Sequence, residues 1–174
     1  EVVGNNHAGV TARLPFCSSL PKIELHAHLN GSIRDSTIRE LALKKGEGWN
    51  EEDIYALTDG TERSLPECFK LFDLIHRVTT EHDTITRITQ EVLLDFESDN
   101  VAYIEIRTTP KNNEAAQMTK RSYVEAVLRG MEGYLHSGEK PGMMARLLLS
   151  VDRRESIEEG MKTLDLAQDF ASQG

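Results

Sequence analysis

The sequence lacks what would tie it to a membrane, a nucleic acid or an oxidising compartment. Its apolar runs are only a few residues long, so no segment spans a bilayer. It holds 2 cysteines, Cys17 and Cys68, too few for a disulfide framework, and a reducing compartment is the default reading. Positive charge is in deficit: 20 Lys+Arg against 29 Asp+Glu leave a net charge of -9. That excludes a nucleic-acid binder relying on a basic surface, although a few local cations can still grip one small anion. The opening stretch, EVVGNNHAGVTARLPFCSSL, has no apolar core of signal-peptide type. Glu1 rather than Met comes first, which leaves a trimmed chain and a piece of a longer one both open. What remains is 174 residues, 39% hydrophobic and 28% charged, the make-up of one soluble globular domain.

Residues 1–20 show no period and carry Gly4, Asn5, Asn6 and Gly9, so they read as a loose N-terminal arm. From Pro21 the texture changes. KIELHAHLN alternates strictly, with Ile23, Leu25, Ala27 and Leu29 on one face and Glu24, His26, His28 and Asn30 on the other, which predicts a strand over 22–30. Ser32-x-x-Asp35 resembles a capping signal for a helix carrying Ile38, Leu41 and Ala42 up to a Gly46 stop. Residues 46–63 are polar and read as a loop. Ser64-Leu-Pro-Glu67 is a capping box, and Leu65, Phe69, Phe72 and His76 follow at helical spacing. Thr80-x-x-Asp83 opens another helix with Ile85, Ile88, Val92 and Phe96 as its buried stripe.

A second strand is expected over 101–109, where Ala102, Ile104 and Ile106 alternate with Tyr103, Glu105 and Arg107. Thr119 then starts a helix carrying Tyr123, Val127, Met131 and Tyr134. A third strand is expected over 145–152, and Ser156-x-x-Glu159 caps a last helix through Met161, Leu164 and Phe170. Met118, Met131, Met143 and Met144 read as core.

Strands separated by helical crossovers imply a parallel α/β sheet. Polar groups collect near the C-terminal ends of the strands, which suits a (β/α)8 TIM barrel better than a doubly wound sheet. A complete barrel takes about 250 residues, so three strand–helix units leave open edges and uncovered apolar surface.

His26 and His28 carry the chemistry. Two apart on a strand, their side chains leave the same face, with Cα atoms about 6.5–7 Å apart. Two imidazoles so placed can converge on one metal ion. The bland alternative is a pair of polar residues on a half-exposed strand, and a bare H-x-H is a weak motif. Its place at the C-terminal end of the first strand favours the metal. His76 falls on an apolar stripe, more often the place of a hydrogen-bonded core histidine. Glu105 and Arg107 share a face and can pair with each other. Thr108, Thr109, Pro110 and Lys111 put hydroxyls and a cation at the rim, where they hold an oxyanion or cap a turn. Asp152 beside Arg153 and Arg154 can be a surface ion cluster, worth little.

Four motifs in order, LPKIELHAHLNGSI, LFDLIHRV, YIEIRTTPK with a following MTKRSYVEA, and RLLLSVDRRE, resemble the adenosine deaminase family, and within it the adenosine deaminase-like, N6-methyl-AMP deaminase branch. The likeness runs from Leu20 to the C-terminus. It implies a zinc-dependent (β/α)8 barrel that hydrolyses the 6-amino group of a purine, here over residues 21–174 as a partial deaminase barrel. It implies His26 and His28 as the first two zinc ligands, and His28, Asn30, His76, Thr108, Thr109, Pro110, Lys111 and Asp152 as substrate contacts. Adenosine deaminases proper carry Asp where this chain has Asn30. A carboxylate there would repel a 5′-phosphate, a penalty of several kcal/mol in a dry site by order of magnitude. Asn30, with Lys111 and Arg153 as candidate cationic partners, therefore favours a nucleoside monophosphate over a nucleoside.

The family's third histidine, its zinc-binding aspartate and its catalytic glutamate lie beyond Gly174. The expectation is thus the N-terminal portion of a purine aminohydrolase, inactive by itself and marginally stable, and a cytosolic monomer when complete. Three alternatives stay open: adenosine or AMP deamination, a catalytically silent product acting at most as a nucleotide-binding or interaction fragment, and another metal-dependent hydrolase sharing the H-x-H strand.

Overall fold

The computed structural model describes residues 16–46, 50–58, 64–137 and 142–173. Of the expected N-terminal arm, residues 1–15 lie outside the described residues, and 16–19 form one helical turn. The elements then run β1 (Lys22–His28), a 3-10 turn (Leu29–Gly31), α1 (Asp35–Lys45), α2 (Glu51–Thr58), α3 (Leu65–Val78) and α4 (His82–Ser98). They continue with β2 (Val101–Thr108), a 3-10 turn (Glu114–Ala116), α5 (Lys120–Leu135), β3 (Met144–Leu149) and α6 (Ile157–Ser172).

All strands are parallel and their order is β1-β2-β3. A doubly wound sheet reverses its strand order at a switch point, whereas here each strand pairs with the next in the chain, as in a barrel. β2 is the buried centre, with Ile104 and Ile106 fully enclosed. Against it pack Ile85, Ile88 and Val92 of α4 and Tyr123, Val124 and Val127 of α5. Helices α4 and α5 approach closely at Gly130, where a Cβ would lie 2.5 Å from the Thr86 carbonyl oxygen and 2.6 Å from Thr89 Cβ. No helix among the described residues is long and apolar enough to cross a membrane.

Several local expectations give way to the structure. The loop expected over 46–63 contains α2. Asn50 Oδ1 caps it by accepting from the Asp53 amide at 2.7 Å, three acidic residues fill the first turn, and Ile54 is fully buried. Ser32 is not the cap of α1; Arg34 is, and the Ser32 hydroxyl donates to the His28 carbonyl instead. Gly46, at φ 65°, does end that helix. On α3 the capping box forms as read, but the stripe Leu65, Phe69, Phe72 and His76 is exposed, and Leu74, Ile75 and Val78 are buried. A helix apolar on two sides offers two stripes, and contact with α1 and α2 selects the second. On α6, Met161 and Leu164 are likewise exposed, and Thr163 and Leu166 are buried. Met144 is exposed at the start of β3, whereas Met118 and Met143 are core.

β1 departs most from simple alternation. Ala27 and Leu29 are buried, but Ile23 and Leu25 are 69% and 55% exposed. The register slips by one residue between Glu24 and Ala27, so face parity changes along the strand. β1 also has a strand neighbour on one side only.

The contact at Gly130 yields a test. Gly130→Ala should lower stability by about 1–3 kcal/mol, because the added methyl meets backbone and a Cβ that cannot yield. Gly133→Ala meets only the tip of the flexible Gln90 side chain, at 3.2 Å, and should be neutral or stabilising by up to about 1 kcal/mol through helix propensity. Urea unfolding midpoints of the two variants check the contrast.

Candidate functional site

The C-terminal ends of the three strands open into one cleft of about 780 Å³. His26, His28, Asn30, His76, Thr108, Thr109, Pro110, Lys111 and Asp152 all line it. These residues come from β1 and its 3-10 turn, from α3, from the end of β2 and the loop after it, and from the loop after β3.

His26 and His28 are exposed, with ring centroids 5.1 Å apart and an Nε2–Nε2 separation of 3.2 Å. Two nitrogens bound to one tetrahedral zinc at 2.0–2.1 Å would lie roughly 3.3 Å apart. The pair therefore fits two corners of such a site. Without a metal, the same separation suits one proton shared between the rings. Burial holds the His28 imidazole below its ordinary pKa, and the neighbouring His26 and Arg107 add to the effect. That keeps its lone pair available. Among the described residues, no group of three or more His, Cys, Asp or Glu side chains is placed to hold a metal ion.

Asn30 sits in the 3-10 turn rather than on the strand, and its Oδ1 is buried without a hydrogen-bond partner. A buried acceptor without a partner is costly unless a ligand or water donates to it. The segment that carries it is pinned just downstream, where Arg34 grips Asp95 of α4 through Nε at 2.7 Å and Nη2 at 2.6 Å.

His76 is exposed rather than core. Its Nδ1 lies 2.7 Å from the Phe72 carbonyl, which can only accept, so Nδ1 carries the proton and Nε2 is left for another partner. Thr108 is buried, and its hydroxyl is engaged with the Tyr123 hydroxyl at 2.6 Å, so it braces the cleft floor. Thr109 is exposed at the mouth and Pro110 is buried beside it.

Lys111 donates to Thr79 Oγ1 at 3.3 Å. Burial, with help from the Lys45 charge, pulls its ammonium down to about 8. A desolvated cation beside a second cation marks a place for an anion. Asp152 lines the cleft, but Arg154 holds its carboxylate through Nε and Nη2 and keeps it down at about 2. This matches the ion-cluster reading, with Arg154 rather than Arg153 as partner.

Sequence reasoning missed Glu24, Arg107, Phe72 and Glu155, all of which line the cleft. The expected Glu105–Arg107 pair does not form. Glu105 accepts from the Tyr103 hydroxyl at 2.9 Å, and Arg107 Nε is buried without a partner. Register held the missing signal, since Arg107 pairs with His28 across β1 and β2.

Fold and cleft together define a barrel-type α/β protein whose candidate site lies at the C-terminal rim of its strands. Residues 21–174 match the family model described as Adenosine deaminase, and the chain belongs to that family of purine-deaminating hydrolases. It is 47% identical to the N6-mAMP deaminase of Arabidopsis thaliana over 182 residues, covering 92% of this chain and 51% of that protein. A crystal structure of Arabidopsis ADAL complexed with IMP superposes with a TM-score of 0.81 at 50% identity, covering 91% of this chain and 48% of that one. A COG1816 amidohydrolase from Burkholderia ambifaria, with bound Zn, superposes at 0.73 with 25% identity, covering 89% and 42%. The chain spans about half the length of the curated relatives it matches. Its fold is accordingly the N-terminal part of the (β/α)8 barrel.

The Lys111 environment sets a pH test. Below about 8 the folded and unfolded chains both hold the proton, and the folded state bears the full burial penalty. Between about 8 and the ordinary 10.5 only the unfolded state holds it, so stability rises with pH across that window. Lys111→Met should therefore be more stable than the unmutated chain at pH 7, with the difference closing towards pH 10.5. Thermal unfolding at pH 7 and pH 10 measures it, and a Met variant less stable at pH 7 contradicts this account.

Proposed function

We propose that this chain carries the first two zinc ligands and the phosphate end of the substrate pocket of a purine nucleotide aminohydrolase, with N6-methyl-AMP as substrate. The reaction joins N6-methyl-AMP and water to give IMP and methylamine. The observation that carries this reading is the convergence of the His26 and His28 Nε2 atoms, 3.2 Å apart, in the same cleft as Asn30 and Lys111.

When bound, zinc would lower the pKa of a coordinated water towards neutrality and supply the nucleophile that attacks the purine C6. His26 and His28 would hold it, and the depressed pKa of His28 keeps a lone pair ready for that at neutral pH. Asn30 lines the cleft with a buried, unpartnered oxygen that a ribose or base donor could satisfy, and its amide adds no negative charge. His76 offers Nε2 as an acceptor while Phe72 holds its other nitrogen. Lys111 brings a positive charge that no carboxylate neutralises among the described residues, which suits a 5′-phosphate. This cation, with Asn where adenosine deaminases carry Asp, favours a monophosphate over adenosine. The bound IMP of the Arabidopsis relative agrees with that direction.

Three outcomes are expected. Calorimetric titration should show IMP bound by the unmutated chain, and Asn30→Asp should weaken IMP at least about tenfold while leaving inosine within about twofold, since only the phosphate is repelled. Zinc titration should lose its binding step in His26→Ala and in His28→Ala; equal affinity in all three chains removes the ligand assignment. No third protein ligand is placed beside the pair among the described residues. The chain alone, supplied with zinc, should therefore release no methylamine from N6-methyl-AMP, and zinc-dependent release would contradict this.

A further inference from the structure

A side chain with no assigned role stands two residues before the first imidazole. Glu24 lines the cleft, and its Oε1 accepts from the His26 backbone amide at 2.7 Å. The contact falls inside the register slip of β1. Glu24 pairs with Ile104 and Ala27 with Ile106, so Leu25 and His26 together occupy the space opposite Glu105 alone. An earlier slip of the opposite sense, between Lys22 and Ile23, means the two irregularities cancel along the strand. Only the stretch from Ile23 to His26 is displaced relative to β2.

Such a bulge bends the strand and re-aims a side chain. The slip lies directly beside the imidazole pair. On an unbroken strand, residues two apart project in parallel from Cα atoms about 6.5–7 Å apart. Here the two Nε2 atoms come within 3.2 Å. A carboxylate accepting from a backbone amide makes a charge-assisted bond, stronger than a neutral one. Spanning the slip, it fixes the backbone from which His26 projects.

We propose that Glu24 is a positioning residue: by bonding the His26 amide across the register slip it sets the spacing of the His26–His28 pair for metal. The inference rests on the metal reading above. Glu24 is not itself a ligand, since no three-membered group of His, Cys, Asp or Glu is placed for metal among the described residues. A merely structural cap would contribute stability and leave metal affinity alone.

Three chains separate these roles: unmutated, Glu24→Ala and Glu24→Gln, the last retaining a carbonyl acceptor. Each is titrated with Co²⁺, the absorption of the bound ion reporting occupancy. Amide hydrogen exchange at His26 is read by NMR, and urea midpoints are recorded without metal. Glu24→Ala should bind Co²⁺ about tenfold more weakly, as the loss of a group that orients a ligand generally does. Its His26 amide should exchange at least about tenfold faster, the penalty of one lost net hydrogen bond. Glu24→Gln should stay within about threefold on both measures. Glu24→Ala binding Co²⁺ as tightly as the unmutated chain overturns the inference, whatever its urea midpoint. If Glu24→Ala fails to fold, a His26 amide unprotected in the unmutated chain, or Glu24→Gln binding as weakly as His26→Ala, overturns it. No Co²⁺ binding by the unmutated chain brings down the metal reading itself and this inference with it, a result distinct from equal binding by all three.

Discussion

The Nε2 atoms of His26 and His28 come within 3.2 Å above the end of one strand, and that close approach is the constraint on which the rest of the site depends. A parallel strand at the edge of a sheet is a poor platform for it. Its side chains project in parallel, and its next residues leave the sheet. The chain meets the first difficulty with a register slip in β1, and the second with a one-turn 3-10 segment that starts at Leu29. Leu29 is driven into the core, at 1% exposure, which anchors the backbone on which Asn30 and Gly31 stand. Arg34 and Asp95 then fasten the exit from this turn to α4. Burial on one side and an ion pair on the other leave the rim between them little freedom.

The long connection from β1 to β2 is the second consequence. A parallel crossover needs one helix, and here four intervene among the described residues. The last, α4, is the crossover proper, packed on α5 and against β2. α1, α2 and α3 form a cap beside the rim. Their shared core of Ile38, Leu41, Ile54, Leu74 and Ile75 holds α3 so that Phe72 and His76 line the cleft. The cap also fixes charge. Lys45, the last residue of α1, donates to the Arg77 carbonyl at 2.5 Å and to Thr80 Oγ1 at 2.8 Å, where α3 ends. That places its ammonium near enough to Lys111 to depress the latter's pKa. A cationic corner thus exists in a chain whose net charge is -9.

Much of this was legible in residue order, for definable reasons. β2 and α5 read correctly because they sit at the centre of the fold, where alternation and helical spacing report burial directly: Ile104 and Ile106, then Tyr123 and Val127. Ser64 and Glu67 read correctly because a capping box is a local bond pattern needing no tertiary partner. Eight of the nine candidate site residues lie on one cleft because three strands in parallel bring their C-terminal ends together, and His76 joins them from α3. Reading failed where a choice depended on neighbours. α3 and α6 each offer two apolar stripes, and only contact decides between them. α2 is short and acidic, and Ile54 is the one hydrophobic residue buried among its described side chains. The slip in β1 leaves no mark in a perfect alternation such as IELHAH; it exists only relative to β2.

Arg107 and Asn30 show why the unread part matters for chemistry. A buried guanidinium nitrogen and a buried amide oxygen, each without a partner, are expensive in isolation and are retained where something else uses them. Arg107 lies beside His28 in register and lowers its proton affinity, so its charge opposes protonation of that imidazole. Asn30 lines the same cleft and is neutral. A carboxylate at that position would have set a negative charge in the cleft that Arg107 and Lys111 also line. Asp152 illustrates the alternative: close to arginines, it is already taken by Arg154, and its charge is spent within the loop. Among the described residues Lys111 thus keeps a place in the cleft with no carboxylate bonded to it, and Arg107 keeps its charge beside His28.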